Sequence, residues 1–290
     1  MNSGSCLCAK VTWEVIGDPE TTYHCHCKLC RKAHGAAFAT LWWFSPENFR
    51  WTGSHDSIVK FSAVPGSNRA FCSHCGSAVP SDFDGRRYAP AGCHDEGVTA
   101  QSHIFVAHKA PWHDITGDLP QYEDFPPDMD GEALFDTLTD LGAPMADPEL
   151  APKRAGGVRG GCLCGAIEFE VVEPFKVVHN CHCSRCRRAR GAAHTTNGFT
   201  SMEGVIFFKG EEHIKTYKVP GAKHFAHAFC DTCGCGVPRI DPGRRIAVIP
   251  LGALDDDPGV KAADNIFVAH KAQWYEITDD LPAYEEGPPP

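Results

Sequence analysis

The chain has 290 residues, enough for two ordinary domains with a core each, and its 42% hydrophobic and 22% charged residues suit a folded rather than a disordered protein. A formal net charge of −10 excludes the basic surface that non-specific nucleic-acid binding or docking on an anionic membrane requires, so neither partner is expected. No apolar run approaches the roughly 18 residues of a membrane span, and the opening MNSGSCLCAK lacks a basic-then-apolar leader. Sixteen cysteines in such a chain point to a cytoplasmic protein that uses them for metal binding or redox chemistry.

In chain order, Cys6 and Cys8 come first, as CxC. On an extended strand residues i and i+2 face one way, so both sulfurs could reach one ion. Residues 10–15 alternate apolar and polar, a strand signal. Cys25, Cys27 and Cys30 follow as CxCxxC within CHCKLCRKAHGAA, and the stretch after them suits one helical turn. A looser strand pattern covers 57–64. Cys72 and Cys75 form CxxC before Gly76, the spacing at which a tight turn aims two thiolates at one metal. Cys93 reads as a free core or loop thiol. Residues 126–156 read as a linker rich in Pro, Gly and charge, and 131–142 inside it space Leu134, Phe135, Leu138 and Leu141 as a short amphipathic helix ending at Gly142.

Then the chain repeats itself. GSCLCAKVTWEV (4–15) returns as GGCLCGAIEFEV (160–171) and CHCKLCRKAHGAA as CHCSRCRRARGAA, both at an offset of 156. AFCSHCGSAVP returns at offset 158 and HIFVAHKAPWHDITGDLPQY at 162, so the insertions sit in two loops. A period near 160 is a duplicated domain. The second set of cysteines is Cys162 and Cys164, then Cys181, Cys183 and Cys186, then Cys230 and Cys233; Cys235 is extra, beside the metal without ligating it. Strand patterns recur at 166–172, 213–219, 246–251 and 265–269. The expected fold is mainly β with little helix: two tandem zinc-binding β domains, 1–125 and 157–290, able to pack against each other.

Each repeat thus offers a four-cysteine set and a three-cysteine set. Cys6, Cys8, Cys72 and Cys75, and likewise Cys162, Cys164, Cys230 and Cys233, suffice for a closed tetrahedral zinc site. Cys25, Cys27 and Cys30, and Cys181, Cys183 and Cys186, leave a fourth position open. That is the mark of a reactive site. The triplets also admit closure by His26 or His182, an iron–sulfur cluster, or a redox disulfide between Cys27 and Cys30.

Taken together, GxCxC, CHCxxCRxxxGA, FCxxCG and IFVAHKAxW with DLPxY resemble the glutathione-dependent formaldehyde-activating enzyme family, which includes centromere protein V. The resemblance covers nearly all of both repeats. It implies the Mss4-like fold and two zinc ions per domain, one structural on the CxC and CxxC pairs and one catalytic on CxCxxC. It also implies a carbon–sulfur lyase that condenses glutathione, as co-substrate, with formaldehyde to S-hydroxymethylglutathione. The substrate class is then a small thiol and an aldehyde. The alternative is a non-catalytic zinc module for small thiols or protein interaction. The repeats differ: AGCHDE (91–96) stands against LGALDD (251–256), His103 against Asn265, and Arg69 against His227. These differences suggest that one repeat is degenerate as an enzyme. Lys109, Lys271, Arg31 and Arg187 are candidates for a glutathione carboxylate, and Trp112 and Trp274 read as core.

Overall fold

In a computed structural model of the chain, residues 2–64, 67–83, 85–127 and 152–289 are described. The helix expected over 131–142 lies outside them. Repeat one contains β1 (Asn2–Ser5), β2 (Thr12–Val15), β3 (Thr21–Cys25), α1 (Lys28–His34), β4 (Ala39–Phe44), β5 (Phe49–Trp51), β6 (Ile58–Val64), β7 (Ser67–Cys72), β8 (Ala78–Val79), β9 (Ser81–Phe83), β10 (Arg86–Pro90) and β11 (Ser102–Ile104). Repeat two contains β12 (Val158–Gly161), β13 (Glu168–Val171), β14 (Val177–Cys181), α2 (Ser184–Arg190), β15 (Thr195–Ser201), β16 (Val205–Lys209), β17 (Ile214–Lys218), β18 (Ala226–Cys230), β19 (Arg239–Asp241), β20 (Ile246–Pro250), β21 (Asp264–Ile266) and β22 (Ala283–Tyr284). The fold is mainly β, with two short α-helices among the described residues, as the alternating patterns require.

Each repeat stacks a small antiparallel sheet on a larger one. The small sheets are β1-β2-β5 and β12-β13-β16. The larger sheet of repeat one runs β11-β3-β4-β10-β9-β7-β6, so its β6–β7 hairpin joins the main sheet through β9. In repeat two the main sheet runs β19-β20-β15-β14-β21-β22, and the β17–β18 hairpin stands apart from it among the described residues. Repeat two has a cavity beside this hairpin.

Two local expectations need correction. The CxC pairs lie in the turns after β1 and β12 rather than on strands; Ala9, in the left-handed region at φ 58°, helps reverse the chain there. The helical segment after CxCxxC is seven residues long, about two turns. It is longer because the second cysteine of the triplet caps it: the Cys27 sulfur accepts from the Cys30 amide, as Cys183 does from Cys186.

The repeats pack tightly on each other. The largest apolar cluster holds residues of both, including Trp13, Trp42 and Phe44 from one and Phe169, Ile249, Leu251 and Trp274 from the other. Contacts come in reciprocal pairs, the signature of an approximate two-fold relation. Lys32 donates to the Gly161 carbonyl and pairs with Asp255; its counterpart Arg188 donates to the Ser5 carbonyl and pairs with Asp95. Gly76 backs onto Phe229 and Gly234 onto Phe71, and a Cβ on either glycine would come within 2.4 Å of the ring. Both glycines sit at positive φ, so only glycine combines this turn with this close approach.

Arg187 is 2% exposed. It donates to the carbonyls of Gly92 and His94 across the interface and pairs with Asp95 at 3.0 Å. Arg187→Ala strands those carbonyls and is expected to cost about 3 kcal/mol, read as a lowered urea midpoint. An unchanged midpoint would remove the helix from the interface energetics.

Candidate metal centres and active site

Four clusters have sulfurs within 4.8 Å of one another and could each hold a metal ion: Cys6, Cys8, Cys72 and Cys75; Cys162, Cys164, Cys230 and Cys233; Cys25, Cys27 and Cys30; Cys181, Cys183 and Cys186. In a tetrahedron of about 2.3 Å metal–sulfur bonds the sulfurs stand about 3.8 Å apart. The observed separations are 3.5 Å for Cys6–Cys8, 3.8 Å for Cys8–Cys72, 3.4 Å for Cys162–Cys164 and 3.7 Å for Cys164–Cys230. Backbone amides of Val11 and Ile167 donate to Cys6 and Cys162, which suits thiolate rather than thiol. Ser77 lies 3.3 Å from the Cys75 sulfur; Cys235 is its counterpart, buried beside the second closed set and outside it.

Three thiols this close shift one another's ionisation. Neighbouring sulfurs push Cys181 well up and hold Cys183 down at about 3, so three close sulfurs cannot all ionise alone. A divalent ion relieves this and leaves a net single negative charge. Each triplet has one buried arginine to balance it. In repeat one Arg69 of β7 donates to the Cys30 sulfur at 3.4 Å. In repeat two the cation is Arg190 of α2. Burial holds its guanidinium down at about 10, against the pull of Cys186 and Cys235. The corresponding positions are exchanged: His34 stands where Arg190 does, and His227 where Arg69 does. Each triplet has one arginine and one histidine from opposite elements.

The triplets differ in access. Cys25, Cys27 and Cys30 are buried in an aromatic cluster with Tyr23, Tyr88 and Phe105, backed by Trp43, Phe83 and Phe125. Cys181, Cys183 and Cys186 line a cavity of about 590 Å³. Strand register shows what changed. His179 pairs with Asn197, and Phe199 with Val248; the same positions in repeat one are Tyr23 with Leu41, and Trp43 with Tyr88. Larger side chains stand at these positions in the first repeat. In the second, Lys223, His224 and Phe225 reach the cavity wall from the β17–β18 turn, where the hairpin is two residues longer. Arg185, Arg239 and Arg244 add positive charge. Arg239 and Arg244 pair with Asp241; Arg185 and Lys223 have no ion-pair partner among the described residues. His179 Nδ1 lies 2.5 Å from Asp264 Oδ1, a pair that becomes Tyr23 and Ser102 in repeat one.

Residues 1–108 and 157–270 match the family of glutathione-dependent formaldehyde-activating enzymes. The chain belongs to this family. A Halomonas elongata protein provisionally named as such an enzyme is 29% identical over 130 residues, covering 41% of this chain and 80% of that one. A Rhodobacter sphaeroides protein of solved structure is 24% identical, covering 36% of this chain and 98% of that one, with a TM-score of 0.29.

Within this family member several expectations change. His26 and His182 do not close the triplets. His26 Nε2 meets His103 Nδ1 at 2.8 Å, and His182 meets Asn265 at 3.0 Å. Arg187 belongs to the interface, and Arg31 donates to the His26 carbonyl. Lys109 and Lys271 donate to the carbonyls of His113 and Tyr275. None of these four cations lines the cavity beside the second triplet. Trp112 and Trp274 are buried, as expected of core. Cys93 is a buried free thiol against the Ala78 and Arg188 carbonyls. The cavity residues that the motifs missed, Lys223, His224 and Phe225, had one signal: the step in the repeat offset ahead of AFC. No helix among the described residues is long and apolar enough to cross a membrane.

Proposed function

We propose that this chain is a zinc enzyme of the carbon–sulfur lyase class, active in its second repeat. There it condenses glutathione or a related thiol with formaldehyde to the S-hydroxymethyl adduct. The observation that carries this reading is the cavity: the second triplet lines about 590 Å³ of cationic and aromatic space, whereas the first is buried in an aromatic cluster. The substrates come from the family and from the name of the Halomonas relative. Cys6, Cys8, Cys72 and Cys75, and Cys162, Cys164, Cys230 and Cys233, would hold structural zinc. Cys181, Cys183 and Cys186 would hold the reactive ion, and Cys25, Cys27 and Cys30 a fourth, structural one under Arg69. The alternative of a non-catalytic zinc module describes the first repeat.

Cys181, Cys183 and Cys186 would hold a zinc ion that, when bound, would favour the thiolate form of a thiol substrate over carbonyl activation, given the heavy charge of three cysteinates. The protein's own residues would do the rest. Lys223 and Arg185 meet the carboxylates of the thiol substrate. Asp264 holds His179 with the proton on Nδ1, leaving Nε2 to accept the thiol proton. The sulfur attacks the formaldehyde carbon, one C–S bond forms, and the carbonyl π pair becomes an alkoxide. His179 Nε2 returns the proton to that oxygen. Arg190 offsets the negative charge of the site.

Absorption of the cobalt-substituted protein tests this reading: glutathione should perturb the thiolate-to-cobalt bands of wild type but not of Cys183→Ala. No response in wild type, together with no acceleration of adduct formation, would overturn it. Lys223→Ala is expected to raise KM for glutathione about tenfold with kcat nearly unchanged, since it removes binding common to ground and transition states. A fall in kcat alone would reassign the lysine to the chemical step.

A further inference from the structure

A second cavity, of about 580 Å³, lies between the repeats and away from all four cysteine clusters. It straddles the approximate two-fold relation, and its walls come in equivalent pairs. The two loops that follow the FVAHKA segments run side by side over it, and the hydroxyls of Thr116 and Thr278 meet where they touch. Nothing in the proposed chemistry uses this space.

Its floor is aromatic and imidazole-rich. Phe38 packs edge-on to His194, with centroids 5.4 Å apart, and His194 lies 5.6 Å from Tyr275. His24, His103 and His113 complete the floor. Burial disfavours the charged form of three of them, lowering His103 and His113 to about 4 and His194 well below its usual value. Those three are therefore neutral, each with one N–H and one lone pair. His194 is 4% exposed, and its buried Nδ1 has no hydrogen-bond partner. A transition metal is not the ligand these nitrogens fit: among the described residues, only the cysteine clusters bring three or more such donors together.

The rim is acidic from both repeats: Asp114 and Asp118 from one, Glu276 and Asp280 from the other. The one lysine on the rim, Lys261, is paired with Asp114. Asp118, Glu276 and Asp280 are exposed and have no ion-pair partner among the described residues. Such a rim repels carboxylates and phosphates. It attracts cations, and apolar surface with unoccupied acceptors beneath it suits an organic cation.

We propose that this inter-repeat cavity is a binding site for an aliphatic polyamine. Its terminal ammonium groups meet Asp118 and Asp280, equivalent residues on the two halves of the rim. Its methylene stem lies on Phe38 and Tyr275, and an amine donates to His194. The near-symmetric placement of the acids favours a linear cation charged at both ends over a compact one. Sharing no residue with the cavity of the second triplet, the site stands or falls independently of the catalytic reading.

Calorimetric titration of the full zinc-loaded chain with spermidine tests the proposal, with 1,6-hexanediol and glutarate as neutral and anionic comparisons. One spermidine per chain is expected, with no heat from either comparison. The double variant Asp118→Asn/Asp280→Asn should weaken spermidine binding at least about tenfold, through loss of charge-assisted hydrogen bonds. Asp18→Asn, an exposed acid far from the rim in sequence, should leave it unchanged and so control for the chain's overall acidity. His194→Leu should weaken binding too; if that buried variant unfolds, the rim double variant carries the test. Undetectable spermidine binding at millimolar concentration, equal binding of glutarate, or full affinity in the double variant would overturn it.

Discussion

Cys183→Ala is expected to reduce adduct formation by more than about 100-fold while changing unfolding stability by about 1 kcal/mol or less, and Cys27→Ala is expected to do the reverse. The two cysteines occupy the same place in the two repeats, each capping its helix. Their surroundings separate them. Cys183 is partly exposed on a cavity wall, so its loss removes a ligand from the reactive ion but strands little. Cys27 is buried, and the sulfur set it belongs to is the counter-charge of Arg69. Burial works against the Arg69 guanidinium, yet the Cys30, Tyr88 and Cys27 groups around it hold it charged. Emptying that triplet gives up metal-binding free energy that is folding free energy at a buried site, at a cost of at least about 3 kcal/mol. Adduct formation followed by carbon-13 NMR and urea unfolding of both variants decide the matter. Equal losses of activity would mean both repeats turn over; equal losses of stability would make the second triplet structural as well.

The clustering of the cysteines was readable because it rests on local spacing. CxxC before a glycine defines a turn, and Cys72–Gly76 and Cys230–Gly234 make it. The strands at 10–15 and 57–64 were readable from alternation, within one or two residues of β2 and β6. Where spacing underdetermines the backbone, the reading went astray. CxC fits a strand or a turn equally well, and the left-handed Ala9 chose the turn. The length of α1 depended on a thiol serving as a cap. The burial of the first triplet among aromatic side chains was out of reach for a different reason. Tyr23, Leu41 and Tyr88 look like ordinary strand residues until register places them side by side over Cys25 and Cys30. Arg31 and Arg187 looked available to a substrate because the sequence does not say which helix face turns to the other repeat. The exchange of His34 and Arg69 for Arg190 and His227 is visible once the repeats are aligned. Its meaning is not, because only the fold brings two positions 35 residues apart to one sulfur cluster.

Removing metal from the closed sites should have the largest effect on the fold. Each ties the CxC turn to a knuckle more than 60 residues away, and structural zinc of this type contributes about 10–16 kcal/mol of binding free energy, which is folding free energy here. Cys72→Ala leaves Cys6, Cys8 and Cys75 without a closed set. It is expected to lose that zinc and to destabilise the chain by at least about 5 kcal/mol, most of a typical domain's stability. The damage should not stay in repeat one. Gly76 of its knuckle packs on Phe229, next to Cys230 of the other closed site, and the Cys75 carbonyl accepts from His227. With Gly234 packed on Phe71 in return, the two knuckles form one interlocked unit. Cys72→Ala and Cys230→Ala should therefore give similar losses and unfold both repeats in one transition. Native mass spectrometry for zinc count, beside urea unfolding read separately through hydrogen exchange in the two repeats, measures this. If Cys72→Ala loses one zinc and repeat two keeps its wild-type midpoint, the knuckles fold independently and the shared core is not what couples them.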